Sequence, residues 1–485
     1  MSAPNQGAPQ LKRALGLWDL VLFNLTAIIG LRWVATAART GLYSLTLWVL
    51  ALLMFFIPQG LAVVALSTRY PEEGGIYDWT KRAFGNFHGF FCGWCYWVSN
   101  LSYFPSLLIA GIGAGVYLGG PKYLWLGKSS WFVCGLSLLM LLLVVGLNVA
   151  GTEKGKWLQN MGGLSNWLPG MLLVALGALA YRHFGSATDF SARALTPRLE
   201  MGTLSFWSTL AFAFAGLELS PIMAGEIRDP RRNVPRAILI SGLFIAIIYI
   251  AGTAALLVAV PSREVSVIAG PVQAIDAVAR REGLTSLSRA MALLIALASL
   301  GGAGAWLAGS ARLPFVAGMD HFLPPAFGRL HPRWQTPHVG MYTQGGLAAV
   351  LLLLGIPGGT VEEGYLLLLE MTVLLYFVPF LYMFLALLVL SSSAAGWGRN
   401  GLEPLPEGFI PVPGDRAGTW LVAVLGLATT ATSLALALVP SAAVTQPWLY
   451  ELKLVGGTLF FFAVGLVLYR RGSSRSKVQG KVQLN

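Results

Sequence analysis

Residues 212–221 read Phe-Ala-Phe-Ala-Gly-Leu-Glu-Leu-Ser-Pro, which places glycine, a carboxylate and proline inside an otherwise apolar stretch. Proline removes a backbone donor, and glycine lowers the cost of unwinding a helix. A carboxylate among apolar residues indicates a polar interior nearby. The stretch therefore predicts a helix that breaks at its middle beside a cavity. A proline kink with a structural glutamate is the alternative interpretation.

The chain around this stretch has the composition of an integral membrane protein. Of its 485 residues 56% are hydrophobic and only 11% are charged, and the mean hydropathy is +0.67. Soluble domains carry about 25% charged residues, so charge is too scarce here to cover soluble surfaces. The three cysteines, Cys92, Cys95 and Cys134, are too few for a disulfide scaffold. We therefore expect an all-α integral membrane protein.

Hydropathy predicts how many helices cross the membrane. A spanning helix needs about 20 mostly apolar residues. Runs such as 136–147 are continuously apolar, whereas barrel strands alternate, so helices are favoured. Twelve segments meet the criterion: 17–37, 44–67, 88–117, 131–149, 157–180, 204–224, 237–260, 288–312, 338–355, 364–390, 419–439 and 449–469.

The first segment has two interpretations. Lys12 and Arg13 precede it, and Ala35-Thr36-Ala37 resembles a signal-peptidase site, which is typical of a cleaved signal peptide. Arg32 interrupts the apolar stretch and many spans follow, so we favour a retained first helix.

Lysine and arginine predict the orientation. With the N-terminus inside, the inner loops and tails hold most of the 33 basic residues, which places both termini in the cytoplasm. The net charge of +12 is then mainly a topology signal and an attraction to anionic lipids of the bilayer. No basic and aromatic module lies outside the spans, so no nucleic-acid partner is predicted. The expected location is the plasma (cytoplasmic) membrane.

A second interrupted helix lies at 24–33, which reads Asn-Leu-Thr-Ala-Ile-Ile-Gly-Leu-Arg-Trp. Gly30 falls in mid-span and Arg32 follows it. An unpaired arginine at the bilayer centre costs at least about 2.5 kcal/mol, so we expect Arg32 to face a cavity, a carboxylate or an anionic ligand. The alternative is an arginine near the helix end that reaches the interface.

The broken segments are the first and the sixth, which is the spacing of a 5+5 inverted repeat with two further helices. In such transporters the substrate binds at the midplane between two discontinuous helices. We therefore expect a cytoplasmic tail at 1–14, a ten-helix transport core at 15–390, helices eleven and twelve with the preceding loop at 391–469, and a basic cytoplasmic tail at 470–485.

Two predicted inner loops lie at 69–79 and 224–236, and the second is dense in opposite charges. Closely spaced ion pairs on moving loops are typical of an inner gate. The alternative is a pair of loops that follow the positive-inside rule with solvated charges.

At these residues the sequence resembles the amino acid–polyamine–organocation (APC) superfamily, whose members have the LeuT-type fold. The resemblance covers most of residues 15–390 and rests on three separate motifs. They are Tyr70-Pro71-x-x-Gly74-Gly75-x-Tyr77 through Phe84-Gly85, Phe214-x-Gly216-x-Glu218 followed by 226–237, and Ser310-Ala311-Arg312 through Thr336-Pro337. The resemblance implies a secondary transporter of amino acids or related amines that works by alternating access.

The resemblance also implies the substrate-binding residues. They lie in the unwound parts of helices one and six, 27–32 and 213–218, and on helices three and eight. Each aromatic residue among them has a packing role as its alternative, and Asn100 has a helix–helix bond. The implied residues are Ala27, Ile28, Ile29, Gly30, Leu31, Arg32, Asn100, Tyr103, Phe212, Ala215, Gly216 and Trp306.

Arg32 departs from the family pattern, which has a small residue there. We expect Arg32 either to pair with a substrate carboxylate or to close the site from outside. Glu218 is the strongest candidate for a proton-coupling group, because burial disfavours the charged carboxylate. Glu370 and Asp19 are weaker candidates.

Sodium coupling is disfavoured by the residues that would hold the ion. Asn166 falls where some relatives carry a lysine in place of sodium, and residues 299–304 of helix eight offer few hydroxyls. The predicted mode is proton symport or proton-influenced exchange.

Two other classes compete with a transporter. A non-transporting receptor on the same scaffold is weakened by the absence of a large soluble domain from the sequence. An enzyme is not expected, because the sequence has no metal-ligand cluster and no Ser/His/Asp set, and it predicts no metal and no cofactor. The expected partners are a small-molecule substrate and the lipid bilayer, and the sequence carries no signal for an oligomeric state.

Overall fold

The computed structural model is helical throughout its described residues. Apart from helices, one isolated bridge joins Leu15 to Ile227 within those residues. The all-helical class is confirmed for this part of the chain. Most of the predicted tail 1–14, residues 393–405 of the loop before helix eleven and the last three residues lie outside it. The structure describes residues 13–197, 200–266, 270–281, 283, 285–355, 361–392, 406–438 and 447–482.

Nineteen α-helices follow one another along the described chain. A π-helical turn at Leu52–Phe56 joins α3 to α4 without ending the span. The helices are α1 (Leu17–Ile28), α2 (Leu31–Thr40), α3 (Ser44–Ala51), α4 (Ile57–Arg69), α5 (Ile76–Phe84), α6 (Asn86–Gly115), α7 (Ser130–Val149), α8 (Thr152–Phe184), α9 (Ala192–Leu195), α10 (Met201–Ala213), α11 (Leu219–Ile222), α12 (Pro230–Ala259), α13 (Gly270–Arg281), α14 (Thr285–Ser310), α15 (Arg312–Met319), α16 (His338–Gly355), α17 (Val361–Ser392), α18 (Asp415–Leu436) and α19 (Pro447–Val482).

Most of the predicted spans are helices long enough to cross a membrane. Nine helical stretches of the described chain are long and apolar enough to cross a bilayer, and the bent pair α1–α2 adds a tenth. The other two predicted spans fall on the shorter α16 and on the interrupted pair α10–α11. The chain is an integral membrane protein, and the count of twelve spans stays a prediction.

The first break separates α1 from α2 at Ile29 and Gly30, and the pair is bent by 40°. Both residues have extended backbone angles. The break is shorter than the predicted loop 27–32, because the amide of Ile29 still bonds to the carbonyl of Leu25 at 3.0 Å. The hydrogen bonds of α1 thus continue almost to the glycine.

The second break separates α10 from α11 and spans residues 214–218. Gly216 has φ +131°, a conformation that L side chains rarely adopt. A Cβ there would also lie 2.8 Å from Cγ1 of Ile28, across the gap to the first break. Glycine at 216 is therefore required both by the backbone angle and by the approach of the two breaks.

Close packing of small residues holds the core helices around the breaks. The α14 helix packs on α8, α6 and α1, and α6 packs on α17. A Cβ added to Gly301 of α14 would lie 2.4 Å from Cα of Gly162 on α8. Glycine at both positions brings the two backbones into contact, as small residues do between membrane helices.

The bundle has two ends, which we name by the residues they carry. The basal face carries Leu15, the loop 70–75 and the loop 223–229. The top face carries two 3₁₀ segments, Val116–Gly119 and Pro121–Lys128. The 30-residue α6 runs from the basal to the top face, a length of about 45 Å.

Several helices extend beyond their predicted spans. The α12 helix begins at Pro230 instead of 237, and α19 continues to Val482 instead of ending at 469. Hydropathy marks where a helix leaves the apolar layer, whereas its backbone hydrogen bonds continue through polar residues outside that layer.

Candidate functional site

A cavity lies between the two helix breaks, and we call it the central cavity. Its volume is about 10 Å³, so the cavity is nearly closed in this conformation. Residues from α1, α2, α6, α14, α17 and the α10 side of the second break form these walls. They are Ala27, Ile28, Trp33, Ser99, Asn100, Tyr103, Phe212, Ala213, Ala215, Trp306, Thr372 and Tyr376.

Five aromatic rings surround the central cavity. Neighbouring rings meet mostly edge to face, the arrangement that favours aromatic pairs. The series runs from Trp33 to Phe212, Tyr376, Trp306 and Tyr103, with centroid distances of 5.8, 5.8, 5.6 and 5.2 Å.

Arg32 closes the gap between the first and last rings of this series. Its guanidinium carbon lies 4.6 Å from the Trp33 ring centroid and 5.4 Å from the Tyr103 centroid, within cation–π range. Its Nη2 donates to the Tyr103 hydroxyl at 3.2 Å. The side chain is buried, and Nε has no hydrogen-bond partner among the described residues. Arg32 therefore points into the protein and not toward the membrane interface.

A second cavity adjoins the central cavity, and we call it the Arg32 cavity. Its volume is about 30 Å³, and it shares Ala27 and Tyr103 with the central cavity. Its walls include the remaining residues predicted for the helix-one loop, together with the predicted coupling residue of helix five. These are Ile29, Gly30, Leu31, Arg32 and Asn166.

Tyr249 of α12 bonds to both breaks. Its hydroxyl lies 2.5 Å from the carbonyl oxygen of Ile28 and 3.1 Å from that of Ala213, and it accepts from the amide of Gly30 at 3.2 Å. A hydroxyl has one proton, so it donates to one carbonyl at a time. One side chain thus supplies partners to backbone groups that both breaks leave unpaired.

Trp306 of α14 holds the first break from the other side. Its indole Nε1 donates to the carbonyl of Ala27 at 2.8 Å. The residue is therefore both a wall of the central cavity and a support for the end of α1.

Glu218 accepts four hydrogen bonds beside the second break. Its Oε2 accepts from Gln59 Nε2 at 2.8 Å and from the Gly216 amide at 3.1 Å. Its Oε1 accepts from the Tyr96 hydroxyl at 2.7 Å and also from the Tyr376 hydroxyl. All these donors match an ionised carboxylate, which accepts at both oxygens. The Tyr376 ring connects this carboxylate to the central cavity.

Asn100 presents an unpaired acceptor at the central cavity. Its Nδ2 donates to the Tyr96 carbonyl at 2.9 Å, which fixes the orientation of the amide. The opposite atom, Oδ1, is buried with no partner among the described residues. Buried polar atoms are nearly always paired, so this oxygen is a position for a ligand donor.

A buried charged cluster closes the basal face below the site. Arg312 Nε donates to Glu226 Oε1 at 2.8 Å, and Glu73 accepts from the Gly225 amide. One oxygen of each carboxyl group, Glu226 Oε2 and Glu73 Oε1, is buried without a partner among the described residues. Burial, and then the charge of Glu226, raise the pKa of the Glu73 carboxyl to about 8.

The N-terminal segment fastens to the same cluster. Ala14 and Leu15 donate to the Glu226 carbonyl at 2.9 and 3.0 Å, and the Arg228 amide donates to the Leu15 carbonyl at 2.9 Å. The segment that precedes α1 is thereby tied to the loop that follows α11, on the basal side of both breaks.

Two predicted candidates lie away from the cavities. Glu370 accepts from the Tyr450 hydroxyl of α19 at 2.7 Å. Asp19 pairs with Lys156 at 2.7 Å near the start of α1. Neither is among the residues that line the two cavities.

Sequence reasoning missed the polar residues that support the site. Gln59, Tyr96, Tyr249 and Tyr376 lie in mid-span, although tyrosine in membrane helices usually marks an interface. Their mid-span position could have identified them from the sequence, because a hydroxyl or amide at that depth must find a hydrogen-bond partner inside the protein.

Known proteins resemble this chain over most of its length. The profile of a family described as "Amino acid permease" matches residues 15–468. An uncharacterized transporter of Legionella pneumophila is 27% identical over 454 residues, 93% of this chain and 95% of its own length. The serine/threonine exchanger of Bacillus subtilis is 24% identical over 83% of this chain and 88% of its own. A probable agmatine/putrescine antiporter of Lactococcus lactis is 26% identical over 54% and 55%.

Replacement of Tyr249 by phenylalanine tests its support of both breaks. We expect Tyr249→Phe to lower the free energy of unfolding by about 1–3 kcal/mol, because buried backbone groups lose their partner. Thermal unfolding in detergent measures the change. Tyr342→Phe is the matched control, since Tyr342 is 54% exposed. Equal midpoints for the two variants would contradict the role of Tyr249.

The basal cluster predicts a pH dependence with a definite sign. Glu73 is neutral in the closed cluster below about pH 8 and ionises near its ordinary value of 4.5 once water reaches it. Between pH 4.5 and 8 the closed cluster therefore binds one proton more than the open cluster does. The closed cluster loses stability relative to the open one as pH rises through this range. We expect labelling of a cysteine at Gly225 to become faster over that range.

Glu73→Gln should reduce this dependence to that of thiol ionisation alone, because the amide does not titrate. Glu264→Gln, at an exposed residue outside the basal cluster, serves as the control and should keep it. A labelling rate that rises equally with pH in all three proteins would exclude Glu73 as the source.

Proposed function

Because this chain belongs to the amino acid permease family, we propose that it is a secondary transporter of amino acids or related amines. Residues 15–390 form the moving core, and the chain lies in the cytoplasmic membrane with both termini inside. The basal face is then the cytoplasmic face. The substrate crosses by alternating access, so the two faces open in turn.

One observation carries the proposal: unpaired polar atoms of opposite kind lie in two adjoining cavities. Within the part of the chain that the structure describes, the guanidinium Nε of Arg32 is a donor without a partner, and Asn100 Oδ1 is an acceptor without one. An amino acid presents a carboxylate and an ammonium group, which complement these two atoms. The aromatic walls between them suit the carbon skeleton of the substrate.

The names of two relatives support this substrate class. One is called a serine/threonine exchanger and the other a probable agmatine/putrescine antiporter. Both compounds in the second name are amines, and both names describe exchange. We therefore propose exchange of amino-group compounds as a mode available to this chain.

Arg32 serves as the closure on the top side of the central cavity. It completes the aromatic series between Trp33 and Tyr103 and lies between the two cavities. A substrate carboxylate that enters the Arg32 cavity draws the guanidinium off the rings and opens the path inward. In this proposal Arg32 both closes the site from outside and pairs with the substrate carboxylate.

The basal cluster serves as the closure on the cytoplasmic side. It ties α15 to the loop after α11 through Arg312 and Glu226, and the N-terminal segment covers the same loop. Opening must therefore separate the start of α1 from the 223–229 loop.

Glu218 couples the cycle to protons. It is fully buried and has four hydrogen-bond donors but no cation among its described partners. When Glu218 is protonated, its own hydroxyl must donate, so a tyrosine hydroxyl has to rotate to accept. Because Tyr376 lines the central cavity, such a rotation alters the wall that contacts the substrate.

Little space is left for a sodium ion where α1 contacts α14, the predicted helix eight. Thr26 Oγ1 lies 2.6 and 2.7 Å from the carbonyl oxygens of Leu22 and Gln159, and its proton bonds to one of them at a time. Gly162 and Gly301 bring α8 and α14 into backbone contact beside it. These contacts support transport that does not depend on sodium.

Counterflow of labelled amino acids into proteoliposomes tests the function. We expect flux for at least one member of a panel of amino acids and amines. Arg32→Ala should weaken apparent substrate affinity about 10- to 100-fold, since a hydrogen bond to a charged group contributes about 1.5–3 kcal/mol. Arg39→Ala, on the same helix but bonded to the Val265 carbonyl, is the matched control. Binding without flux would instead identify a receptor.

Two glutamates, the buried Glu218 and the half-buried Glu370, test the coupling. We expect Glu218→Gln to abolish the dependence of transport on a pH gradient, because the amide cannot carry a proton. Glu370→Gln should preserve that dependence, since Glu370 bonds to Tyr450 away from the cavities. Uptake with and without a pH gradient, in sodium and in choline buffer, measures both effects. Uptake that needs sodium and ignores pH would exclude this mechanism.

A further inference from the structure

A third cavity opens on the side of the bundle below the top face, and we call it the lateral cavity. Its volume is about 430 Å³, and it lies between α6, α7 and α14, under the two 3₁₀ segments. Its outer edge is open, because Leu293 and Leu118 are 46% and 40% exposed. Its inner walls are apolar and include Gly115, Leu136, Met140, Ala296, Leu297 and Leu300.

The cavity lies within the apolar layer of an integral membrane protein. Its open edge therefore faces lipid and not water. Trp125 and Trp131, which are 63% and 85% exposed, stand beside its upper rim as interfacial tryptophans do. The upper rim is thus at headgroup level, and the cavity below it is at the level of the acyl chains.

The charge at the rim is positive. The exposed Lys122 and Lys128 lie on the 3₁₀ segment whose Tyr123 and Leu126 line the cavity. The ammonium of Lys122 lies 5.8 Å from the Tyr123 ring centroid. Residues 112–149 contain no aspartate or glutamate. On neighbouring α13, Asp276 is already paired with Arg280 at 2.7 Å.

We propose that the lateral cavity binds an anionic phospholipid, with an acyl chain in the cavity and the phosphate group near Lys122 and Lys128. The apolar cavity, which opens toward lipid, matches the acyl chain. The two ammonium groups at headgroup height match the phosphate. A zwitterionic lipid matches the cavity but gains less from the two lysines.

The wall behind the proposed lipid also encloses the Arg32 cavity. Ala296 and Leu300 of α14 face the lateral cavity, whereas Ala298 and Ser299 line the Arg32 cavity. A Cβ on Gly111 of α6 would lie 2.5 Å from Cβ of Ser299, so α6 and α14 are in tight contact there. A bound chain supports both helices from the lipid side and thereby stabilises the Arg32 cavity.

Native mass spectrometry of the full chain in detergent tests the proposal. The probes are palmitoyl-oleoyl phosphatidylglycerol and phosphatidylcholine in an equimolar mixture. We expect preferential retention of phosphatidylglycerol, falling roughly fivefold for each of Lys122→Gln and Lys128→Gln. Leu136→Trp, which fills the cavity, should reduce retention of both lipids. Leu239→Trp, at a 77% exposed site on α12, is the matched control and should bind as the unaltered chain does.

Each outcome has a definite meaning. Equal retention of the two lipids by the unaltered chain would contradict the role of the lysines. Unchanged retention by Leu136→Trp, with an unaltered unfolding midpoint, would contradict occupancy of the cavity. Because the readout is lipid mass, failure of this proposal is distinguishable from failure of the transport function.

Discussion

The backbone groups that two broken helices leave unpaired are the constraint on which the structure depends. Within a bilayer no water is available to them, so the protein must supply every partner. Tyr249 bonds to Ile28, Gly30 and Ala213, and the Trp306 indole bonds to Ala27. These contacts hold the two breaks on either side of the central cavity in this conformation.

The two buried charges next to the breaks are stabilised by hydroxyl groups and aromatic rings. Arg32 bonds to Tyr103, and Glu218 accepts from Tyr96 and Tyr376. A series of rings separates the cation from the carboxylate, so neither neutralises the other by direct contact. Such an arrangement leaves both charges available to respond to a substrate or a proton, since each depends on groups that can rotate.

Much of this fold follows from the sequence. Continuous apolar runs predicted the helices, and the glycines at 30 and 216 marked both breaks, because a break at membrane depth needs a residue of low conformational cost. Seven of the predicted substrate residues line the central cavity, namely Ala27, Ile28, Asn100, Tyr103, Phe212, Ala215 and Trp306.

The parts that sequence reasoning missed depend on contacts between distant residues. Tyr249 lies 221 residues from Ile28, and Gln59 lies 159 residues from Glu218. Nothing local marks such partners, since a single tyrosine or glutamine in an apolar helix fits many neighbours. The placement of Glu370 near Tyr450 has the same cause, because the direction in which a helix faces depends on the helices packed around it.

The central claim is that substrate binds between the two breaks, and cysteine protection tests it most directly. In a chain with Cys92, Cys95 and Cys134 replaced by alanine, Ala215→Cys places a thiol in the wall of the central cavity. Saturating transported amino acid should slow its reaction with a methanethiosulfonate reagent, while Ser186→Cys, at an exposed residue after α8, reacts at an unchanged rate. Equal labelling of Ala215→Cys with and without substrate would contradict the account.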